Sequence, residues 1–202
     1  MDPARLGRWL DTFAARHGGY AVDPVPGGLR VRAYDGELAE LRTPPGAPDR
    51  PDLAGFLAEA GQPRRLALLL VRRGGTAVGV ALGERLLVSK VHTGYVQGRT
   101  AAGGWSQHRF ARRRDNQARA AAGDAADLAV RLLLPDIEQL AAVLGGGDRR
   151  SVEAVLADAR LAPVRQRLDE RFLDVPDPRL AVLQDAVRAA RRVHIRLTAP
   201  AN

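Results

Sequence analysis

The sequence predicts an α/β fold with a mixed β-sheet, preceded by a small α+β subdomain. Three short apolar runs joined by glycine-bearing turns are typical of an antiparallel meander. One long helical pattern and then alternating strand and helix patterns follow, and such alternation favours parallel pairing in the same sheet. With 202 residues, of which 46% are hydrophobic, the chain is long enough to bury a core.

Residues 1–62 predict the α+β subdomain. Apolar residues at helical spacing over 4–17 end at a glycine pair, as a helix does at its carboxyl end. Strand-like segments separated by Pro-Gly-Gly and Asp-Gly turns come next, and the Pro-rich stretch 43–48 leads to a short second helix. We predict strands over 20–25, 29–34 and 37–42, and the second helix over 51–60.

Residues 63–202 predict the second domain. Its meander consists of strands over 66–71, 76–82 and 85–91. Residues 92–106, HTGYVQGRTAAGGWS, hold four glycines without apolar periodicity, which predicts a long, mobile loop of the kind that is usually functional. A helix is predicted from 107 to about 134, where Pro135 ends it. The alternating remainder is predicted as strands over 140–144, 172–175 and 193–197 and helices over 149–159 and 178–190.

The charge balance favours a polyanionic partner. The net charge is +8 and the pI is about 11.1. A GC-rich genome explains why Lys90 is the only lysine, but it does not explain an excess of positive charge, so nucleic acid is the expected partner. Aromatic residues are only 4% of the chain, which argues against a platform for stacking single-stranded bases.

Several functional classes are not expected. The chain has no cysteine and four scattered histidines, so we expect neither a metal site nor a cofactor. The longest aliphatic run, 66–71, is far short of the roughly 20 residues of a membrane-spanning helix. The first residues do not begin a charged-then-apolar leader. We therefore expect a cytoplasmic protein without a membrane partner.

The predicted long helix begins with concentrated positive charge. Residues 108–119 contain five arginines and one acid, Asp115. Cations are unfavourable at the positive amino end of a helix, so this cluster favours contact with phosphate over an ordinary solvated face. The candidate RNA-binding residues are Arg109, Arg112, Arg113, Arg114 and Arg119.

A specific motif lies at the same place. Residues 103–114 read GGWSQHRFARRR. They resemble the catalytic loop and helix start of the class-one peptide release factors of eukaryotes and archaea, whose pattern is Gly-Gly-Gln-Ser, two residues, then Arg-Phe-Ala-Arg-x-Arg. Trp105 stands where those proteins have glutamine, and Gln107 follows two residues later. The shifted glutamine resembles the Vms-like tRNA-hydrolase branch, and the chain is identified as an actinobacterial member of it.

The resemblance implies both a fold and an activity. It implies an RNase-H-like catalytic domain over roughly 64–198 in which the long helix follows the catalytic loop; residues 1–62 have no counterpart. It also implies peptidyl-tRNA hydrolysis on the large ribosomal subunit, which releases nascent chains in ribosome rescue and quality control. The implied partners are the large subunit, ribosomal RNA and peptidyl-tRNA, and the free protein is expected to be a monomer.

The residue types suit ester hydrolysis. The neutral amide of Gln107 offers donors and an acceptor, which is enough to orient a water in a preorganised site. Gly103 and Gly104 permit close approach to the tRNA end. Trp105 and Ser106 are expected to support the loop. The alternative is structural: Gln107 as a polar residue in the first helical turn, with Ser106 as the helix N-cap.

The sequence also permits other functions. Ser106 lies in a near match to the serine-hydrolase elbow, but the elbow needs an apolar strand directly before the serine. A nuclease would need clustered carboxylates, whereas Asp115, Asp124 and Asp127 lie along one helix and more simply balance arginines. The glycines at 145–147 before Asp148 fit a phosphate cradle or, more commonly, a capped turn. The main alternative is a non-catalytic ribosome- or tRNA-binding adaptor, which would have no need of Gln107.

Overall fold

The computed structural model describes residues 1–73, 75–93 and 107–199, and over 107–115 it describes the helical backbone alone. The chain divides into two compact units, Met1–Arg64 with Arg188–Asn202, and Arg65–Val187. In chain order the elements are α1 (Pro3–His17), β1 (Tyr20–Val25), β2 (Gly28–Ala33), β3 (Leu38–Arg42), α2 (Leu53–Gly61), β4 (Arg65–Arg72), β5 (Gly75–Leu82), β6 (Arg85–Thr93), α3 (Gln107–Leu133), β7 (Ala142–Gly147), α4 (Arg149–Leu156), α5 (Ala162–Gln166), β8 (Leu168–Leu173), α6 (Leu180–Ala190) and β9 (His194–Thr198).

The first unit is a four-stranded antiparallel sheet with two helices. The strand order is β1-β2-β3-β9. α1 begins at the N-cap Asp2, whose side chain accepts a hydrogen bond from the backbone N–H of Ala4 at 2.9 Å. Its apolar stripe, Leu6, Leu10 and Phe13, is buried in a core shared with α2 and the sheet. One face of the sheet is therefore covered by helices.

The place of the last strand differs from the expected division at residue 62. We expected the strand over 193–197 to belong to the second domain, but β9 pairs with β3, with Leu41 opposite Ile195. Val193 is fully buried in the core of the first unit. A short apolar strand carries no mark of its partner in its own sequence, because pairing is decided by which edge strand is free in the folded chain.

The second unit confirms the predicted α/β class with a mixed sheet. Its strand order is β6-β5-β4-β7-β8, antiparallel from β4 to β6 and parallel from β4 through β7 to β8. Alternate residues of β4, such as Leu69, pack with α3 and α4. On β5, Gly79 lies against Leu183 of α6, since a Cβ there would come within 3.0 Å of that side chain. Helices thus cover both faces, which explains the unbroken apolar run of β4.

Three strands differ from their predicted bounds by two residues or more. β6 continues to Thr93, within the predicted loop, because its pairing with β5 extends to Gly75. β7 includes the glycines at 145–147, where a Cβ on Gly146 would come within 2.7 Å of Leu70. β8 begins at Leu168, four residues earlier than predicted. Glycines and polar residues hide strand periodicity, so these bounds depend on the neighbouring strands.

Replacing Gly147 with alanine is expected to destabilise the second unit by about 1–3 kcal/mol. Gly147 has φ of +94°, and a Cβ there would collide with the backbone oxygen of Val71. Gly123→Ala is the matched control, since this glycine lies inside α3 with no atom near its missing Cβ. It should stabilise the protein by about 0.5–1 kcal/mol. Urea unfolding of both variants checks the prediction; equal midpoints would contradict it.

Candidate functional site

The predicted catalytic residues lie around the start of α3. Gln107 is its first residue, and the arginines of the motif occupy its first turns, although no side chain before Asn116 is described. Arg119 is exposed. Gly103, Gly104, Trp105 and Ser106, and the loop predicted over 94–106, lie outside the described residues. For four of the predicted RNA-binding residues the structure therefore describes only the backbone, which is helical: Arg109, Arg112, Arg113 and Arg114.

α3 is anchored to the sheet by its carboxyl-terminal part. Its 27 residues span about 40 Å at 1.5 Å per residue. Among its described side chains, the buried ones lie between Ala125 and Leu133, where they pack in the core of the second unit. By contrast, residues 116–121 are all exposed. Residues 116–121 thus contribute no buried side chain to the core.

An ion-pair cluster fixes the anchored part of α3. The Arg160 guanidinium lies 2.7 Å from Oδ1 of Asp127 on α3 and 2.6 Å from Oδ2 of Asp158. Asp127 is one of the carboxylates considered for a nuclease, and the structure pairs it with an arginine instead. The hydrogen bond from the Arg160 side chain is the main cause that lowers the pKa of Asp158 to about 2.

We expect the ion pair between Arg160 and Asp158 to weaken in acid. The usual pKa of an aspartate here is 3.8. A carboxyl with a lowered pKa in the folded state contributes stability above its unfolded pKa, and this contribution is lost as the pH falls from about 4 towards 2. Arg160→Ala should therefore reduce the pH dependence of the urea midpoint in that window. An unchanged pH dependence would show that the pair does not contribute to folding.

A groove of about 610 Å³ lies between α3 and β6. Its β6 wall carries Lys90 and His92, which pair with Val78 and Thr76 of β5 and so project from the same face. Its α3 wall carries Asp124 and Arg131 among other residues. Sequence reasoning did not single out these basic side chains, although the period-two spacing of Lys90 and His92 is the pattern that could have done so.

The glycines at 145–147 are the end of β7, and Asp148 connects them directly to α4. Asp148 is the N-cap of α4, and its Oδ1 accepts hydrogen bonds from the backbone N–H of Ser151 at 2.8 Å and from its hydroxyl at 2.7 Å. These bonds lower the pKa of the Asp148 carboxyl. The backbone N–H of Asp148 donates to Val71 at 2.7 Å. The Asp148 carboxylate thus lies where a phosphate would bind, and the backbone N–H of Asp148 is already hydrogen-bonded. These glycines therefore fit a capped turn rather than a phosphate cradle.

The positive charge of the second unit is concentrated in one segment. Residues 94–119 contain six arginines and a single acid. The rest of 65–187 contains thirteen basic and thirteen acidic residues and is neutral as a whole. The surplus charge of this unit therefore belongs to residues 94–119, most of it to the motif and the amino-terminal part of α3. A polyanion would be attracted to this end of the helix rather than to the unit at large.

Among the residues that the structure describes, no helix combines the length and apolar character needed to cross a membrane.

An α/β fold with a mixed sheet, a long arginine-bearing helix and the motif at 103–114 together are typical of a release-factor-like protein. Residues 64–196, more than half of the chain, match the family described as Actinobacteria/chloroflexi VLRF1 release factor. The chain belongs to this family, which confirms the identification made from the motif. No curated protein matches the sequence significantly.

Two solved archaeal structures are similar to this chain. One is the crystal structure of the archaeal translation termination factor aRF1, with 18% identity and a TM-score of 0.46 over 81% of this chain and 49% of that one. The other is described only as an archaeal protein, with 18% identity and a TM-score of 0.44 over 81% and 50%. The chain thus spans about half the length of these proteins, and likenesses this distant carry no functional argument.

Proposed function

We propose that the protein is a cytoplasmic peptidyl-tRNA hydrolase that acts on the large ribosomal subunit and releases nascent chains from stalled complexes. One observation carries the proposal: in a member of a release factor family, Gln107 is the first residue of a helix whose amino-terminal part holds most of the surplus positive charge. The proposal joins a neutral water-orienting group to an RNA-binding helix, as the reaction on a ribosome requires.

The proposed chemistry is attack by water on the ester carbonyl. The Gln107 amide oxygen accepts a hydrogen bond from the water, and its NH₂ group donates to a polar oxygen of the reacting centre. The water oxygen bonds to the acyl carbon, the bond to the tRNA 3′ oxygen breaks, and a proton given up by the attacking water passes to that 3′ oxygen, so that the peptide leaves with a free carboxyl group. Positioning and preorganised hydrogen bonds lower the barrier without an ionised protein base.

The length of α3 suits delivery of this group. Gln107 lies eighteen residues before Ala125, the first buried residue among those of α3 whose side chains are described, which corresponds to about 27 Å along the helix. The helix can therefore carry Gln107 into an RNA-walled cavity while the sheet stays outside. Gly103 and Gly104 would let the backbone approach the tRNA end, with Trp105 and Ser106 shaping the loop. The arginines at 109, 112, 113, 114 and 119 would contact phosphate.

Two alternatives make different predictions. A non-catalytic adaptor would use the same basic helix but would have no need of Gln107. A serine hydrolase would use Ser106 as its nucleophile on a strand-to-helix elbow. The elbow pattern Gly-x-Ser-x-Gly ends in a glycine, whereas this chain has His108 at that position. That departure favours the glutamine hypothesis over the serine one.

The test is a release assay with the wild-type chain on peptidyl-tRNA bound to large subunits, bound to intact ribosomes, or free. We expect release that depends on large subunits. An adaptor gives no release under any of the three conditions. A serine hydrolase gives release together with labelling of Ser106 by a phosphonate probe. Release only from free peptidyl-tRNA would contradict the ribosomal part of the proposal.

A further inference from the structure

The sheet of the first unit has an open face rich in arginine. α1 and α2 cover the opposite face, whereas this one projects four exposed arginines from three strands. They are Arg30 and Arg32 on β2, Arg42 on β3 and Arg196 on β9, and we name them the arginine face. The only acidic side chains that the four strands place among them are Asp23 and Glu40.

The register places charge in a row across all four strands. Asp23 lies opposite Arg30, Arg30 opposite Glu40, and Glu40 opposite Arg196. Arg30 donates to Glu40 at 3.0 Å, and Arg32 donates to Asp23 at 2.7 Å. The hydrogen bond from Arg30 is the largest cause that lowers the pKa of Glu40. Two of the four arginines therefore have a carboxylate partner.

The other two arginines are in surplus. Glu40 attracts both Arg42 and Arg196 electrostatically, but within the described part of the chain neither guanidinium has a carboxylate within 4.0 Å. Arg42 donates a hydrogen bond to the backbone oxygen of Pro26 at 3.4 Å. Cross-strand pairing stabilises a sheet when opposite charges balance, and like charges on neighbouring strands oppose it. Two acids would suffice for two arginines. Sheet stability alone thus does not account for the second pair of arginines.

A polyanion would complement this arrangement. Guanidinium groups bind phosphate oxygens in pairs of parallel hydrogen bonds, and strands hold them at fixed spacing. Exposed ion pairs in water contribute little, so Arg30 and Arg32 can exchange their carboxylates for phosphate at small cost. The strand residues on this face include no Phe, Tyr or Trp, and the exposed Tyr34 after β2 is a single ring, so contact with phosphate rather than a base-stacking platform is the mode that the face favours.

We propose that the arginine face binds the phosphodiester backbone of structured RNA, as a contact separate from the basic end of α3. This gives the first unit a role that its sequence did not indicate. The inference rests on the proposed function in one respect, that RNA is the partner. It does not depend on catalysis, because the surface contributes affinity and no reacting group.

The test uses the full chain with Arg42→Gln and Arg196→Gln combined. Binding to purified large subunits and to a short RNA duplex is measured over a range of salt concentrations. Each lost phosphate contact removes about one counterion, so the slope of log K against log salt should become shallower by one to two. Arg196→Gln alone should give about half of this effect. The two lysine replacements, which keep the charge, should retain most of the affinity.

The matched control is Arg5→Gln with Arg8→Gln on α1. These two arginines are exposed and belong to the same unit, and replacing them removes the same charge. Their helix, however, covers the opposite face of the sheet. We expect a salt slope close to wild type. Equal slopes for the two double variants would overturn the inference, since only overall charge would then matter.

Two further outcomes separate the explanations. If the arginine-face variant loses affinity for large subunits but binds the RNA duplex normally, the partner is an acidic protein surface and the RNA assignment fails. If it loses affinity for both while charge reversal on α3 has no effect, the inference stands, RNA remains the partner, and the RNA-binding role proposed for α3 fails. Release activity is not the measurement, so a failure of catalysis leaves the test intact.

Discussion

Replacing Gln107 with alanine is expected to slow release of peptide from large-subunit complexes by roughly 10²–10³-fold, the effect of removing one oriented hydrogen-bonding group from a preorganised site. The substitution leaves the arginines of α3 in place, so binding to the subunit should persist. Single-turnover release at saturating protein is the appropriate measurement, because it isolates chemistry from recruitment.

Ser106→Ala is the control for this prediction. If Ser106 only supports the loop or caps α3, its hydroxyl contributes local stability and the release rate should stay close to wild type. The opposite order, with Ser106→Ala inactive and Gln107→Ala active, is the result that a serine nucleophile requires. Rates like wild type for Gln107→Ala would refute the proposed role of this glutamine even if the ribosomal partner proved correct.

Reversing charge at Arg112 and Arg113 is expected to produce the largest loss of binding. Arg112→Glu with Arg113→Glu should weaken association with large subunits and make the salt dependence shallower by about two, because each phosphate contact releases close to one counterion. The prediction follows from the surplus charge of 94–119 and from the exposure of the described residues 116–121 of α3.

Arg85→Glu with Arg179→Glu supplies the matched control in the same unit. Both arginines are exposed and lie in the electrically neutral remainder of that unit, and their reversal changes net charge by the same amount. Affinity and slope should then stay near those of the wild type. If both double variants lose affinity equally, overall charge rather than the α3 cluster governs binding, and the cluster is an ordinary solvated surface.

Much of the fold was predictable because local patterns agree with the tertiary structure. The apolar run of β4 and the glycine turns on either side of β5 give the meander directly, and β1 begins and ends at the predicted residues. α3 also begins at the predicted residue and ends within one residue of the prediction. In these elements periodicity, turn residues and the terminating proline point to the same structure.

The rest depends on contacts that local sequence does not encode. β9 is a short strand whose partner is an edge strand far away in the chain. The glycines of β7 have no side chains to alternate, and they lie in a strand because Leu70 and Val71 of β4 approach them closely. The motif at 103–114 gave the family, but the arginine face appears only when the register of three separated strands is known.

Hydrolysis of the ester that joins the peptide to tRNA leaves a signature in both products of the reaction. Peptidyl-tRNA on large subunits is treated with the wild-type protein in water enriched in heavy oxygen, and both products are analysed by mass spectrometry. We expect a peptide whose terminal carboxyl carries one oxygen from the solvent, and a tRNA with its full 3′ end. A peptide that still bears nucleotides, together with a shortened tRNA, would show phosphodiester cleavage and rule out ester hydrolysis.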